Sequence, residues 1–408
     1  MVKRKRKLNV LFISFVYLPN LGGGELIMRE QVIYFKKHGI TPTILTYSPD
    51  KKPRTEQRDG VTVIRTPYLH RAFPDAQGAT QLDRLLPDII RMVNPDAILG
   101  HNLTYPFGPK RSARIIAVCK KQFPGLPVLE YAHNAQNALN VSADIQKKLA
   151  NLAWDHIFCV SKFAQSRFVA AGVPRRHTTA IYNGVDTSRF NPQSYSKKNL
   201  QKKYGLPVNR TYIVFPSRPF TSLGVPNTGK GFELLARALK IILKTHDNRY
   251  LVAPITGGLR QTTRDATFKK IQAFLLKLDI ADHMVFLPEC TPKTMPELYA
   301  LGDVVVAPSA AESFGLVYAE AMAMQKPPVA LATGAAPEII TDNHTGFLVR
   351  QNTPEALAQT IERVLAMDAT QRAMLGTRAR QRIIRHFSIE QHTKRVCAAV
   401  SKIIKHTT

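Results

Sequence analysis

Residues 307 to 324 read APSAAESFGLVYAEAMAM, and this stretch indicates the fold of the chain around it. The run that leads into it, Asp303 to Ala307, predicts a buried β-strand that Pro308 ends. A helix is predicted from about Phe314 to Met324, since Ala, Leu and Met favour helices. A strand, a short loop and a helix start with unpaired N–H groups form an anion site at the carboxyl edge of a parallel sheet.

Two carboxylates accompany this anion site. Glu312 lies in the loop, and Glu320 lies more than one turn inside the helix. The amides of Phe314, Gly315 and Leu316 suit a phosphate, whereas carboxylates accept strong hydrogen bonds from hydroxyl groups. An anion beside polyol hydroxyls describes a nucleotide sugar. A capped helix with two ordinary solvated glutamates explains the same residues, and the stretch alone does not decide between the two interpretations.

The composition is that of a soluble globular protein with room for two domains. The chain has 408 residues, of which 44% are hydrophobic and 21% are charged. Its four cysteines lie far apart, which predicts free thiols in a reducing compartment. No run reaches the roughly 18 apolar residues that span a bilayer, and the apolar run after Lys3 to Lys7 is too short for a signal peptide. We therefore expect a cytoplasmic protein.

The net charge of +28 is unusual and is spread over both halves of the chain. It favours anionic partners, which include nucleic acid, an anionic membrane leaflet and phosphorylated substrates. Two basic helices with apolar stripes, Lys110 to Phe123 and Ile145 to Trp154, suit the surface of an anionic leaflet. They suit equally well a core-facing stripe with a solvated basic side, so peripheral membrane association remains one of two interpretations.

Strand and helix patterns alternate along the whole chain, which predicts an α/β protein with doubly wound parallel sheets. The strands predicted in the first half are Asn9–Tyr17, Thr41–Tyr47, Val61–Thr66, Ala97–His101, Val128–His133, Ile157–Ser161 and Thr179–Tyr182. Those predicted in the second half are Tyr212–Ser217, Tyr250–Thr256, Met284–Leu287, Asp303–Ala307, Val329–Ala332 and Phe347–Val349.

A glycine triplet, Gly22, Gly23 and Gly24, follows the first strand and opens a helix. Glycine lets a backbone approach a phosphate closely. The pattern is neither GxGxxG nor a P-loop, and a tight turn explains it as well.

Two cationic residues occupy the corresponding place in the second half. Arg218 ends the first strand there, and Lys230 opens the following helix. A guanidinium fork and an ammonium group both suit a diphosphate, and such a pair stabilises a departing anion. A surface arginine and a lysine at a helix start are the alternative. The chain contains no Asp-x-Asp, the element that holds a divalent metal in many sugar-transferring enzymes, so we predict no obligatory metal.

The E-x7-E element from Glu312 to Glu320, within ESFGLVYAEAMA, closely resembles that of the retaining family 4 glycosyltransferases of the GT-B fold. The resemblance implies that Glu312 holds hydroxyls of the donor sugar and Glu320 the ribose. It implies that the amides of residues 314–316 bind the diphosphate and that Arg218 and Lys230 neutralise it as it departs. One departure is Gln325, where the family commonly has a helix-ending glycine.

The resemblance extends to the rest of the chain. It implies that Gly22 to Gly24 face the donor and that His133 contacts the donor sugar near the reacting carbon, although a lone histidine is more often structural. His101 is a candidate for the acceptor pocket, and Gly257 for the donor pocket. The expected GT-B architecture has two Rossmann-like domains with a cleft between them. The acceptor-side domain is expected at residues 1–190 plus 388–408, and the nucleotide-sugar domain at 205–387.

The sequence therefore predicts a retaining hexosyltransferase. Its donor is expected to be a UDP- or GDP-linked sugar and its acceptor a glycan or a lipid-linked molecule, with a role in cell-envelope or polysaccharide biosynthesis. The sugar nucleotide is a substrate, so no cofactor is expected, and no nucleic acid partner is expected either. Alternatives are a GT-B epimerase or phosphorylase, and a non-catalytic binder of nucleic acid or another polyanion.

Overall fold

The computed structural model describes residues 7–18, 22–69, 76–103, 109–134, 152–220, 226–254, 261–288 and 290–407. Within it the chain divides into two compact units, residues 1–184 with 389–408 and residues 185–388. Residues 185–190, which we had expected in the first domain, therefore belong to the second unit. There the backbone N–H of Val185 donates to the carbonyl of Phe387 at 2.8 Å.

In the described residues, the first unit is built on an eight-stranded sheet. Its strands are β1 (Asn9–Ser14), β2 (Thr41–Tyr47), β3 (Arg54–Arg58), β4 (Val61–Thr66), β5 (Ala97–His101), β6 (Val128–Ala132), β7 (His156–Cys159) and β8 (Thr178–Ala180). They lie in the order β3-β4-β2-β1-β5-β6-β7-β8, and only β3, against β4, is antiparallel. The central strands are buried along their whole length, as expected when helices cover both faces of a parallel sheet.

The described helices of the first unit are α1 (Gly23–Lys37), α2 (Ala76–Val93), α3 (Pro109–Gln122), α4 (Lys162–Ala170) and the last helix of the chain, α13 (Ile389–Thr407). The last helix is joined to α1 by a buried hydrogen bond between Gln31 Nε2 and His392 Nε2 at 3.0 Å. The chain therefore returns to its first unit after completing the second.

As far as the structure describes it, the second unit contains a six-stranded, wholly parallel sheet. Its strands are β9 (Thr211–Val214), β10 (Arg249–Pro254), β11 (Met284–Leu287), β12 (Val304–Val306), β13 (Pro328–Leu331) and β14 (Phe347–Val349). Its described helices are α5 (Lys197–Lys203), α6 (Phe232–Ile242), α7 (Gln261–Leu278), α8 (Met295–Leu301), α9 (Leu316–Ala323), α10 (Ala336–Ile339), α11 (Pro354–Leu365) and α12 (Ala369–His386).

The strand order of this second sheet is β11-β10-β9-β12-β13-β14. The chain builds one side of the sheet from β9 to β11 and then returns to build the other side from β12 to β14. The winding direction therefore reverses between β9 and β12. In open α/β sheets such a switch point leaves a crevice at the carboxyl ends of the strands, where ligands bind.

In the described part of the chain, no helix combines the length and the apolar character needed to cross a membrane.

Candidate active site

Three residues predicted in the second half, Arg218, Lys230 and Glu312, lie around the switch point. Arg218 follows β9, Glu312 follows β12, and these two strands are hydrogen-bonded neighbours. Lys230 ends a short turn that leads into α6, where the side chain of Asn227 accepts a hydrogen bond from the Lys230 backbone N–H at 3.2 Å. The parallel sheet therefore brings the three residues to one edge, although 94 positions separate the first from the last.

The Glu312 carboxylate is the centre of this site. Lys230 Nζ donates to Glu312 Oε1 at 2.7 Å, and the hydroxyl of Ser309 donates to the same oxygen at 2.9 Å. The carboxylate side chain is 13% exposed and the lysine side chain 39%. The carboxylate is thus held in place from two sides while the ammonium group remains accessible to a ligand.

Two glycines allow the backbone around Glu312 to pack closely. Gly231 has a φ of 76°, and a Cβ there would lie 2.0 Å from the carbonyl oxygen of Pro308. Gly334 has a φ of 59°, and its Cβ would lie 2.7 Å from both the backbone N and O of Glu312. The Ala335 backbone N–H also donates to the Glu312 carbonyl at 3.0 Å. Chain segments that follow β9, β12 and β13 therefore fix the position of the carboxylate.

Helix α9 begins where the sequence predicted it. Gly315 precedes its first residue, Leu316, with a left-handed φ of 89°, and a Cβ on Gly315 would lie 2.3 Å from the Tyr318 ring. The first amides of a helix have no intrahelical acceptor, so they provide positive charge at this edge of the sheet. Tyr318 is buried one turn further on, and burial together with the nearby Glu312 carboxylate raises its pKa well above the ordinary value.

Glu320 lies in the second turn of α9 and is partly buried. The hydroxyl of Tyr299, on α8, donates to Glu320 Oε2 at 2.7 Å. Burial raises the pKa of Glu320 to about 7, against the opposing effects of this hydrogen bond and of the Arg189 charge. The carboxylate therefore titrates near neutral pH.

Arg218 is exposed and makes no hydrogen bond or ion pair with any of the residues that the structure describes. It lies at the same edge as Glu312, but the structure does not bring the two side chains into contact.

In the first unit, His133 lies against the start of α1. A Cβ on Gly24 would be 3.3 Å from the His133 ring, and His133 Nε2 lies 3.1 Å from His101 Nδ1. Burial lowers the pKa of His133 to about 3, so the ring is neutral at physiological pH. His133 Nδ1 is buried and has no hydrogen-bond partner within the described ranges. The first glycine of the triplet, Gly22, donates its N–H to Glu25 Oε2 at 2.8 Å.

His101 is only 3% exposed and lies between the rings of Phe12 and Tyr131, at centroid distances of 5.7 and 5.4 Å. Its ring is therefore packed in the core beside His133, and its assignment to an acceptor pocket stays a prediction.

The basic helix predicted at residues 110–123 is α3, and its apolar side faces the core. Ile115 and Ile116 are both 2% exposed. On its basic side, Arg114 pairs with Asp83 and Lys120 with Asp155. The core-facing interpretation therefore holds for this helix.

Three predicted features lie outside the described residues: Gly257, most of the second basic helix from Ile145, and residues 221–225 of the insert between Arg218 and Lys230. Among the residues that are described, no three His, Cys, Asp or Glu side chains are grouped so that they could hold a metal ion. Reasoning from the sequence missed Ser309 and Tyr299, the partners of the two glutamates, because neither carries a local signal beyond its residue type.

Comparisons with known proteins agree with this architecture. A model described as Glycosyl transferases group 1 matches residues 196–382, and one described as Glycosyltransferase Family 4 matches residues 21–189. The GDP-mannose-dependent alpha-(1-6)-phosphatidylinositol monomannoside mannosyltransferase of Mycolicibacterium smegmatis is 28% identical over 391 residues, which cover 91% of this chain and 92% of that protein.

Solved structures show the same fold. A glycosyltransferase from Rickettsia africae matches with a TM-score of 0.77 at 21% identity, covering 98% of both chains. Anabaena HepE, solved in complex with UDP and glucose, matches with a TM-score of 0.74 at 20% identity, covering 97% of this chain and all of that one. The predicted GT-B fold class is therefore confirmed. The chain belongs to the group 1 glycosyltransferases of family 4.

Proposed function

We propose that this glycosyltransferase retains the anomeric configuration and moves a hexose-type sugar from a nucleoside-diphosphate donor to a glycan or lipid-linked acceptor. The observation that carries this proposal is the meeting of Glu312, Lys230 and the start of α9 at the switch point of the second sheet. A sugar diphosphate needs a carboxylate that binds its hydroxyls, and a cation and the N–H groups of a helix start that bind its diphosphate.

In the proposed reaction, the bond between the anomeric carbon and the diphosphate oxygen breaks, and the acceptor oxygen bonds to that carbon on the same face. The acceptor proton passes to the departing diphosphate oxygen, which leaves as the nucleoside diphosphate. The chain's own groups position the substrates and stabilise charge. Lys230, Arg218 and the amides of residues 314–316 act on the diphosphate, Glu312 on sugar hydroxyls and Glu320 on the ribose. We assign His133 and Gly22 to Gly24 to the sugar side of the donor, and Gly257 to the donor pocket.

Two cationic side chains at one sheet edge supply the charge that a divalent ion supplies in other transferases, so we propose that turnover needs no metal. Turnover that persists unchanged in excess chelator supports this point. Turnover that is lost with chelator and restored by Mg²⁺ or Mn²⁺ overturns it.

The names of two similar proteins suggest two possible classes of sugar donor. The Mycolicibacterium smegmatis protein is named for GDP-mannose and a phosphatidylinositol mannoside, and HepE was solved with UDP and glucose. We propose a GDP- or UDP-linked hexose as donor and a polar lipid or glycan as acceptor, in the building of a cell-envelope glycan.

The net charge of +28 leads us to propose that the protein works peripherally at an anionic membrane surface. Co-flotation with anionic but not neutral liposomes at low salt tests that location, and equal flotation with both contradicts it.

The test of the function is transfer or slow hydrolysis measured over a panel of nucleotide sugars, with the configuration of the released sugar followed by NMR. We expect one donor to react with retention.

Lys230→Ala and Glu312→Gln should each lower kcat/KM by about ten- to hundredfold, because each variant loses one charge-assisted hydrogen bond. Lys240→Ala, an exposed lysine on α6, and Glu355→Gln, an exposed glutamate on α11, are matched controls and should leave kcat/KM unchanged. An inverted product, or equal loss in the controls, contradicts the proposal.

A further inference from the structure

The segment just before the second unit's first helix carries an arginine with an unusual environment. Arg189 Nε is buried, and the side chain makes no hydrogen bond with any of the residues that the structure describes. The guanidinium lies 5.0 Å from the centroid of the Phe190 ring. Its charge acts on Glu320, whose pKa it lowers. A buried N–H donor without an acceptor is costly in a folded protein, so the position of this group calls for an explanation.

Tyr299 connects the same segment to Glu320. Its ring is fully buried and packs edge-on against Phe190 at a centroid distance of 6.0 Å. Its hydroxyl donates to Glu320 Oε2 at 2.7 Å. Of the two carboxylate oxygens, Oε2 is therefore oriented by the protein, and Oε1 has no hydrogen-bond donor among the described residues.

A second arginine fixes the frame around this group. Arg380, on α12, donates to the carbonyls of Phe190 at 2.6 Å and Thr187 at 3.0 Å, and also to the carbonyl of Ala323 at the end of α9. One guanidinium therefore ties the segment that carries Arg189 to the helix that carries Glu320. The relative position of the two charges is built into the packing of the second unit.

We propose that Tyr299 and Arg189 are positioning residues that keep the Glu320 carboxylate ionised and oriented, so that its free oxygen accepts hydrogen bonds from donor hydroxyls. This inference rests on the proposed role of Glu320 in binding the donor. An ionised carboxylate only accepts hydrogen bonds, whereas a protonated one offers a donor to hydroxyls and accepts weakly. Burial favours the protonated form, and the two residues oppose it.

The titratable and charged groups near Glu320 come from every element around it. Tyr299 comes from α8, and Arg189, whose charge also acts on Asp186, comes from the segment before α5. Arg380 comes from α12, and Cys290 acts on Tyr299. Of these, Tyr299 and Arg189 are the ones that lower the pKa of Glu320. Their removal should therefore move its titration to higher pH.

The experiment is the pH dependence of the donor KM in Tyr299→Phe and Arg189→Met. In the wild type, KM should rise as the pH falls through about 7. Loss of a hydrogen bond to a charged group moves a titration by about one pH unit, so the donor KM of Tyr299→Phe should be about fivefold above wild type at pH 7 and nearly equal to it at pH 9. The kcat at saturating donor should change little. Arg189→Met should move the midpoint in the same direction.

Matched controls exist for both changes. Tyr204→Phe removes another tyrosine hydroxyl that donates to a carboxylate of α8, that of Glu297, and Arg167→Met removes another arginine that lies over a phenylalanine ring. Neither should move the midpoint. A rise in KM of the same size at pH 7 and pH 9 would mean that Tyr299 and Arg189 act only on packing, and an unmoved midpoint would overturn the proposal.

A readout without substrate separates this inference from the proposed function. The difference in melting temperature between wild type and Tyr299→Phe should grow between pH 6 and pH 9, because a buried carboxylate without its donor is costlier to ionise. If no nucleotide sugar reacts but this difference in melting temperature grows, the effect of Tyr299 on Glu320 is supported while the role of Glu320 in donor binding fails. If the difference does not change with pH, the effect of Tyr299 on Glu320 is itself refuted.

Discussion

Replacing Glu320 by Gln should make the protein more stable at neutral pH and leave its stability in acid unchanged. Burial raises the pKa of this carboxyl from its ordinary value of 4.5 to about 7. Each unit of that difference is worth about 1.4 kcal/mol, so the ionised carboxylate destabilises the folded state by about 3 kcal/mol above pH 7. Because the folded pKa is raised, this cost is absent below pH 4.5 and is complete above pH 7. Gln cannot ionise, so the variant does not carry this free-energy cost.

The assay is thermal unfolding of wild type and Glu320→Gln at a series of pH values from 4.5 to 8, without nucleotide. For a unit of about 200 residues, a difference of about 3 kcal/mol corresponds to about 6–12 °C in Tm. The two proteins should melt together at pH 4.5 and separate progressively up to about pH 7.5. Glu355→Gln, at an exposed position on α11, should give no pH-dependent difference.

A constant difference between wild type and Glu320→Gln across this pH range would refute the reasoning. It would mean that Glu320 ionises as easily in the folded chain as in the unfolded one. The hydrogen bond from Tyr299 and the Arg189 charge would then fully compensate its burial.

Three further predictions concern the frame of the site. Gly231→Ala should cost about 2–4 kcal/mol by urea unfolding, because it combines a positive φ with a Cβ 2.0 Å from the Pro308 carbonyl oxygen. Gly205→Ala, which has a φ of 66° and open space around its Cβ, should cost only about 1 kcal/mol, and equal losses would contradict the clash. Gln325→Gly should stabilise the folded protein by about 1 kcal/mol without changing kcat/KM, because Gln325 has a left-handed φ of 57° at the end of α9, which glycine adopts without strain. A lower urea midpoint in this variant would contradict the prediction. Arg380→Met should destabilise by about 2–4 kcal/mol, because three carbonyls lose their donor, and a change below 0.5 kcal/mol would show that water replaces it.

The fold was largely predictable because parallel strands covered by helices read as short apolar runs. The predicted strands 41–47, 61–66 and 97–101 have the bounds that the structure gives them. The antiparallel strand β3 was missed because its residues, RTEQR, are polar and mostly exposed at the sheet edge. The signal was the Asp59-Gly60 turn that follows, in which both residues have positive φ.

The candidate site was predictable only in part. The sequence places Glu312, Lys230 and the start of α9 near one another, since they follow neighbouring strands or begin the next helices. It does not show that Lys230 Nζ bonds to Glu312 rather than pointing to solvent. Local sequence patterns do not predict that Tyr299 and Arg189 lie near Glu320, because Arg189 is 131 positions away in the sequence and Tyr299 lies on a different helix. Pairings of this kind follow from how helices pack in three dimensions.

The most direct test of the account is calorimetric binding of GDP and UDP to the wild type and to Arg218→Ala, Lys230→Ala and Arg350→Ala. Arg350 is exposed and follows β14, so it lies at the same sheet edge but away from the switch point. We predict that one nucleotide binds the wild type, that Arg218→Ala and Lys230→Ala each weaken it by about tenfold or more, and that Arg350→Ala does not. Binding of neither nucleotide, or the same affinity in all four proteins, would contradict the claim that the switch point of the second sheet holds the donor diphosphate.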